Sequence, residues 1–151
     1  MVKANCADWS QSLNSEKCIF ESLQKIGISI CSCVVKSNVL QKILDNRKIK
    51  VLNIRVAYYG CSLTDWFVPD FPELRSDSLE VLSIKTTFYF NRNVLMDFKH
   101  FPNLKVLDLA DKWFTDSYDE LIASYCPNLE HLRIVGGEMT DLSLTYLLNL
   151  T

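Results

Sequence analysis

A chain of 151 residues with 48% hydrophobic and 23% charged residues can bury the core of one domain, and it is too apolar for a disordered segment. Its 16 basic and 18 acidic residues give a formal net charge of −2 and are spread along the sequence, so neither nucleic acid nor an anionic membrane surface is an expected partner. No uninterrupted apolar run of about 18 residues occurs, and no membrane span is expected.

Residues 1–12 carry no clear pattern. Leu13, Ile19, Phe20 and Leu23, with Asn14 and Ser15 ahead of Glu16, predict a short helix that feeds a weakly marked strand, Lys25 to Ile30, with Gly27 in its middle. This start reads as a worn or capping end of a stack, with residues 1–22 as the cap. From Val34 to Asn46, Val35, Val39, Leu40, Ile43 and Leu44 share one face and Lys36, Gln41, Lys42 and Asp45 the other, which is the period of an amphipathic helix. A strand is predicted over Lys50 to Arg55. The longer segment Val56 to Ser78 follows, where Leu63-Thr64-Asp65 can cap a short helix and Pro69 and Pro72 prevent a long one. Glu80 to Lys85 is the next strand, leading through an aromatic turn to a helix expected around Val94 to Phe98, which Pro102 halts. Thr115-Asp116 and Thr140-Asp141 stand at equal distances behind the last two strands, and each offers an N-cap oxygen to the amides that open a helix. Leu121, Ile122 and Tyr125 continue the first of these helices, and Leu144, Leu147 and Leu148 the second. The sequence stops at Leu150-Thr151, just before a further strand falls due and without a polar cap, which predicts a fragment of a longer protein.

An internal repeat lies behind this order. The stretch Cys126-Pro127-Asn128-Leu129-Glu130-His131-Leu132-Arg133-Ile134 occurs almost verbatim as Phe101-Pro102-Asn103-Leu104-Lys105-Val106-Leu107-Asp108-Leu109. The frame Leu-x-x-Leu-x-Leu begins at Leu104 and Leu129, with looser copies at Leu79, Ile49 and, most faintly, Leu23, so the starts are 26, 30, 25 and 25 residues apart. The expectation is a single α/β domain over residues 1–151, built of about five repeats.

Phe114-Thr115-Asp116, Leu121, Ile122, the run from Tyr125 to Ile134, and Met139-Thr140-Asp141 resemble the cysteine-containing class of leucine-rich repeat. In that class Cys-Pro-x-Leu-x-x-Leu-x-Leu precedes an Ile-Thr-Asp turn and a helix, and the best-known bearers are the F-box/leucine-rich-repeat proteins. The match is good over residues 100–150, partial over 49–100 and faint before that. Lys112 and Gly137 stand where the family has its second cysteine, and Phe101 replaces the first one repeat earlier. The resemblance implies a right-handed leucine-rich-repeat solenoid with a parallel sheet on the concave side and helices on the convex side. It further implies the substrate-recognition repeats of an F-box-type ubiquitin ligase. The 22 residues before the first candidate strand cannot hold an F-box, so docking on the ligase linker is implied only if an F-box lies outside this chain. The alternative is a free-standing leucine-rich-repeat adaptor or inhibitor.

Within each strand the leucine-type residues point inward, and the residues alternating with them form three columns on the other face. The columns are Lys25, Val51, Val81, Val106 and His131; Gly27, Asn53, Ser83, Asp108 and Arg133; and Ser29, Arg55, Lys85, Ala110 and Val135. A protein partner is expected on Val51, Asn53, Arg55, Val81, Ser83, Lys85, Val106, Asp108, His131 and Arg133, with the three valines as a dry strip. Tyr58-Tyr59, Phe88-Tyr89 and Trp113-Phe114 recur at one edge, followed by Glu138-Met139 in the last repeat. Phe114 and Met139 are expected in the core, whereas Tyr58, Phe88 and Trp113 are expected at a rim where a partner could be anchored.

Catalysis has little to build on. His131 beside Glu130 and Arg133 occupies ordinary strand positions, with no nucleophile or phosphate loop nearby, and Gly136-Gly137 reads as a turn. Asp65, Asp116 and Asp141 read as helix caps. The six cysteines, at positions 6, 18, 31, 33, 61 and 126, follow no secretory signal and match no zinc or redox spacing with His100 and His131. They are expected to be reduced core thiols in an intracellular protein, cytoplasmic or nuclear, with no cofactor and no metal.

Overall fold

Each leucine frame of the sequence becomes one strand, and each strand pairs with the next in the chain. The computed structural model describes residues 22–31, 37–57, 74–86, 98–110, 116–137, 139–148 and 150. Five strands, β1 (Lys25–Cys31), β2 (Val51–Ala57), β3 (Val81–Thr86), β4 (Val106–Ala110) and β5 (His131–Val135), lie in sequential order in one sheet. Every pairing is parallel. Three short helices complete the described elements: α1 (Ser37–Leu44), α2 (Asp116–Tyr125) and α3 (Asp141–Leu147). The architecture is therefore α/β with an all-parallel sheet.

The core follows from the pleat, which sends alternate side chains to opposite faces. Leu52, Ile54, Leu82, Ile84, Leu107 and Leu109 are all buried, as are the frame-opening residues Ile49, Leu79 and Leu104. Leu40, Ile43 and Leu44 of α1 and Ile122 of α2 join the same core, which puts these helices on its side of the sheet. Burying a side chain of this size contributes about 1.5–3 kcal/mol. Burial weakens at the β5 end, where Leu129, Leu132 and Ile134 are only partly covered.

The repeat is visible in the backbone as well as in the side chains. Ile49, Leu104 and Leu129 each donate an amide to the carbonyl three residues earlier, on Asn46, Phe101 and Cys126, so the same tight turn precedes three strands. Before each of the first four strands, one carbonyl receives two amides from the next layer: Gln24 from Lys50 and Val51, Lys50 from Glu80 and Val81, Glu80 from Lys105 and Val106, and Lys105 from Glu130 and His131. The Pro-Asn dipeptides add a side-chain staple: Asn103 Nδ2 donates to the Asp77 carbonyl at 2.7 Å, and Asn128 Nδ2 to the Pro102 carbonyl at 2.9 Å.

The strand expectations hold to within one or two residues at their ends. Of the helix expected over Val34 to Asn46, residues 34–36 lie outside the described residues, and α1 stops at Leu44. At its far end Asn46 bends out to bond Ile43, and its side chain accepts the Lys48 amide at 3.0 Å, an arrangement that competes with helix. Of the helix expected around Val94 to Phe98, the described part is a single tight turn over 98–100. Gly136 and Gly137 have φ of 96° and 93°, the left-handed conformation that glycine adopts without strain, and they turn the chain after β5. The helix expected over Leu13 to Leu23 lies outside the described residues except at its end, and the cap Leu63-Thr64-Asp65 lies outside them altogether.

Candidate protein-binding face

Strand register assembles the three columns from residues far apart in sequence. Lys25 pairs with Val51, Val51 with Val81, Val81 with Val106, and Val106 with His131. Gly27, Asn53, Ser83, Asp108 and Arg133 align in the same way, as do Ser29, Arg55, Lys85, Ala110 and Val135. Neighbouring strands are about 4.8 Å apart, so each column is a continuous row of side chains across the sheet. Val51, Val81 and Val106 are half-buried against one another, while Lys25, Arg55, His131 and Arg133 stand exposed.

Asp108 is the electrostatic centre of this face. Its carboxylate accepts from Arg133 Nη1 at 2.9 Å and from Ser83 Oγ at 3.1 Å, and it lies 3.2 Å from Lys85 Nζ. Burial pushes the carboxyl pKa up, but the hydrogen bonds from Arg133, Lys85 and Ser83 together outweigh it and hold the group below its usual value. The group is thus a fixed anion between two cations. Beside the face, at the mouths of the strands, Glu80 sits between Lys50 at 2.7 Å and Lys105 at 3.8 Å. The Lys50 hydrogen bond is the main cause of the lowered Glu80 pKa.

A second cluster joins α2 to α3. The Asp116 carboxylate accepts the Thr140 amide at 2.9 Å and its hydroxyl at 2.6 Å, and it also accepts the Ser143 hydroxyl. One turn further along α2, Asp119 is fully buried, and neither of its oxygens has a hydrogen-bond partner. Burial raises its pKa and the Asp116 charge raises it further; Ser143, whose hydroxyl is turned to Asp116, offers only partial relief. At the β5 end a cavity of about 340 Å³ is lined by Leu129, Leu132, Ile134, Met139 and Leu147 together with Glu130 and Leu150.

The sheet therefore brings together Val51, Asn53, Arg55, Val81, Ser83, Lys85, Val106, Asp108, His131 and Arg133. Tyr58, Phe88 and Trp113, and with them Phe114, lie outside the described residues. Met139 departs from its expected core place: it is 39% exposed, because no layer beyond β5 covers it among the described residues. Asp116 also differs from a simple cap. Its oxygens reach into the following repeat, and the cap of α3 comes from Thr140 Oγ1, which accepts the Leu142 amide at 3.2 Å. Cys126 is a buried free thiol whose pKa burial pushes up to about 12, which leaves it unreactive. Among the described residues no group of three His, Cys, Asp or Glu side chains could hold a metal ion, and no helix is long and apolar enough to cross a membrane.

Sequence reasoning missed three features. The alternation Lys50, Glu80, Lys105, Glu130 at one position of the frame was a readable signal for the charged ladder. Asp108 between Lys85 and Arg133 follows from the columns once opposite charges in adjacent strands are paired. The buried Asp119 carries no such signal, since on a short amphipathic helix a carboxylate near the start reads as favourable to the dipole.

No protein-family model matches the sequence, and no curated protein is significantly similar to it.

Proposed function

We propose that the chain is a leucine-rich-repeat solenoid that binds a protein partner through the sheet face opposite its core, as the substrate-recognition repeats of an F-box-type ubiquitin ligase. The observation that carries this reading is the equal-register stacking of three side-chain columns across five parallel strands, generated by a frame that repeats about every 25 residues. Repeats of this kind stack only on their neighbours and leave an extended surface whose residues are free to vary, which suits recognition of another chain. A half-buried valine strip bordered by charged side chains supports a protein surface over a small molecule, because it is broad and shallow. The ligase assignment is supported by the resemblance of residues 100–150 to the cysteine-containing repeats of F-box proteins.

Affinity purification of the protein from its own cells, with and without Val81→Asp on the sheet face, tests both parts. The expected result is a complex that contains the ligase linker and a second protein, with only the second protein lost from the Val81→Asp variant. A complex without the linker indicates the free-standing adaptor, and a complex indifferent to Val81→Asp removes the sheet face from the interaction.

A further inference from the structure

The face opposite the core is electrically unlike the chain that carries it. Among its described residues four cations, Lys25, Arg55, Lys85 and Arg133, stand against one carboxylate, Asp108, in a chain of formal net charge −2. The row beside it, Lys50, Glu80, Lys105 and Glu130, is balanced and adds no net sign. The excess is also patterned. Arg55 and Lys85 are register neighbours in the third column, and Arg133 reaches in from β5 to the same carboxylate as Lys85. Lys25 and Arg55 are exposed and have no anionic partner among the described residues. Parallel to this cationic row, in the first column, runs the apolar strip of Val51, Val81 and Val106.

We infer that this face takes an extended acidic segment of a protein partner, laid across the strands over the middle column. Its carboxylates meet Arg55, Lys85 and Arg133, and its alternate apolar side chains meet the valine strip. This rests on the reading of the face as protein-binding and adds the chemistry of the partner. The columns are two residues apart along each strand, about 7 Å, and an extended chain turns successive side chains to opposite sides. A segment centred over Asn53, Ser83 and Asp108 therefore sends one set of side chains to the valines and the other to Arg55 and Lys85, and meets Arg133 at the β5 end of the middle column. From β2 to β5 is three strand spacings, about 14 Å, which about four or five extended residues span. A nucleic acid fits worse, because its phosphate backbone carries no apolar side chains to cover the valine strip. Asp108 is an internal competitor that holds Lys85 and Arg133 until an incoming carboxylate replaces it.

Titration calorimetry of the 151-residue chain with an octapeptide of alternating Asp and Val, with its Lys-Val counterpart and with a single-stranded oligonucleotide of the same charge tests the inference. The Asp-Val peptide is expected to bind, about tenfold more weakly to Arg55→Glu and several-fold more tightly to Asp108→Asn, with affinity falling as salt rises. Arg55→Gln, which removes the charge without reversing it, is expected to weaken binding with an unchanged melting curve, so that misfolding is separated from lost contact. The inference is overturned by absence of Asp-Val binding, by equal binding of the Lys-Val peptide, by tighter binding of the oligonucleotide, or by indifference to Arg55→Glu and Asp108→Asn. Those outcomes leave the protein-binding reading standing wherever Val81→Asp still disrupts the cellular complex, so the two fail separately.

Discussion

Asp116 and Thr140 are joined by two hydrogen bonds across 24 residues, the Thr140 amide at 2.9 Å and its hydroxyl at 2.6 Å, so the residue that opens one helix also holds the loop that opens the next. A helix start leaves several amide hydrogens without partners. At α3, Asp116 satisfies one of them from outside while Thr140 Oγ1 satisfies another from within. Ser143, fully buried on the first turn of α3, completes the contact by donating to Asp116. The described hydrogen bonds across the α2–α3 junction thus converge on one half-buried carboxylate.

Removing that carboxylate is therefore expected to loosen α3 alone. In Asp116→Ala the Thr140 amide and the Ser143 hydroxyl lose their acceptor, and hydrogen exchange over 141–147 accelerates by at least about tenfold while β2 and β3 keep their protection, since repeated units couple chiefly to their neighbours. Ser143→Ala, which removes one buried donor, costs about 1 kcal/mol by chemical denaturation. Uniform loss of protection across the sheet in Asp116→Ala would show that the junction is not local.

Asp116 and Asp119, three residues apart on α2, respond oppositely to pH. Asp119 has a folded pKa raised above its ordinary value of 3.8, so its contribution is fully present below that value and is lost as pH rises through the folded pKa. Asp116, with its pKa lowered by Ser143 and Thr140, contributes above the ordinary value and loses that contribution as pH falls. Asp119→Asn is accordingly expected to raise the melting temperature at pH 7, with the advantage vanishing once the wild-type group is protonated below its ordinary pKa. Melting curves at several pH values check this; a pH-independent difference would mean that Asp119 is not the titrating group.

The strand positions were legible because the repeat writes each of them several times: Leu52, Leu82 and Leu107 occupy one place in the frame, and a reading that failed at one would be corrected by the others. The same redundancy makes the three columns readable from the frame alone. What the sequence left open is pairing that depends on reach rather than on position. Asp116 reads as a cap of its own helix, and position in the frame says nothing of its reach to Thr140 in the next repeat. Met139 looked like a core residue because Phe114 holds its place one repeat earlier, yet periodicity cannot say whether another layer covers it.

Layer position should set the cost of truncating an inward leucine. Leu107, on β4, is completely buried, and Leu107→Ala is expected to cost about 2–5 kcal/mol through lost transfer energy and the cavity left behind. Leu132, its register partner on β5, is only partly covered beside the open cavity, so Leu132→Ala should cost markedly less. Equal values from urea denaturation would show that the β5 layer is covered in solution.

Gly27 sits in the middle of β1 and pairs with Asn53, and a β-carbon built there meets nothing within 4 Å. Glycine in a strand interior costs conformational entropy and gives nothing to pack against its neighbours. Gly27→Ala is therefore expected to stabilise the protein by about 0.4–1 kcal/mol, chiefly by restricting the unfolded chain. Gly27→Val should do at least as well, because a β-branched side chain fits the pleated face beside Asn53. Equilibrium denaturation of both variants measures the gain. Destabilisation by Val together with stabilisation by Ala would place an obstacle beyond the first carbon, whereas destabilisation by both would mean that the Gly27 position is crowded in solution.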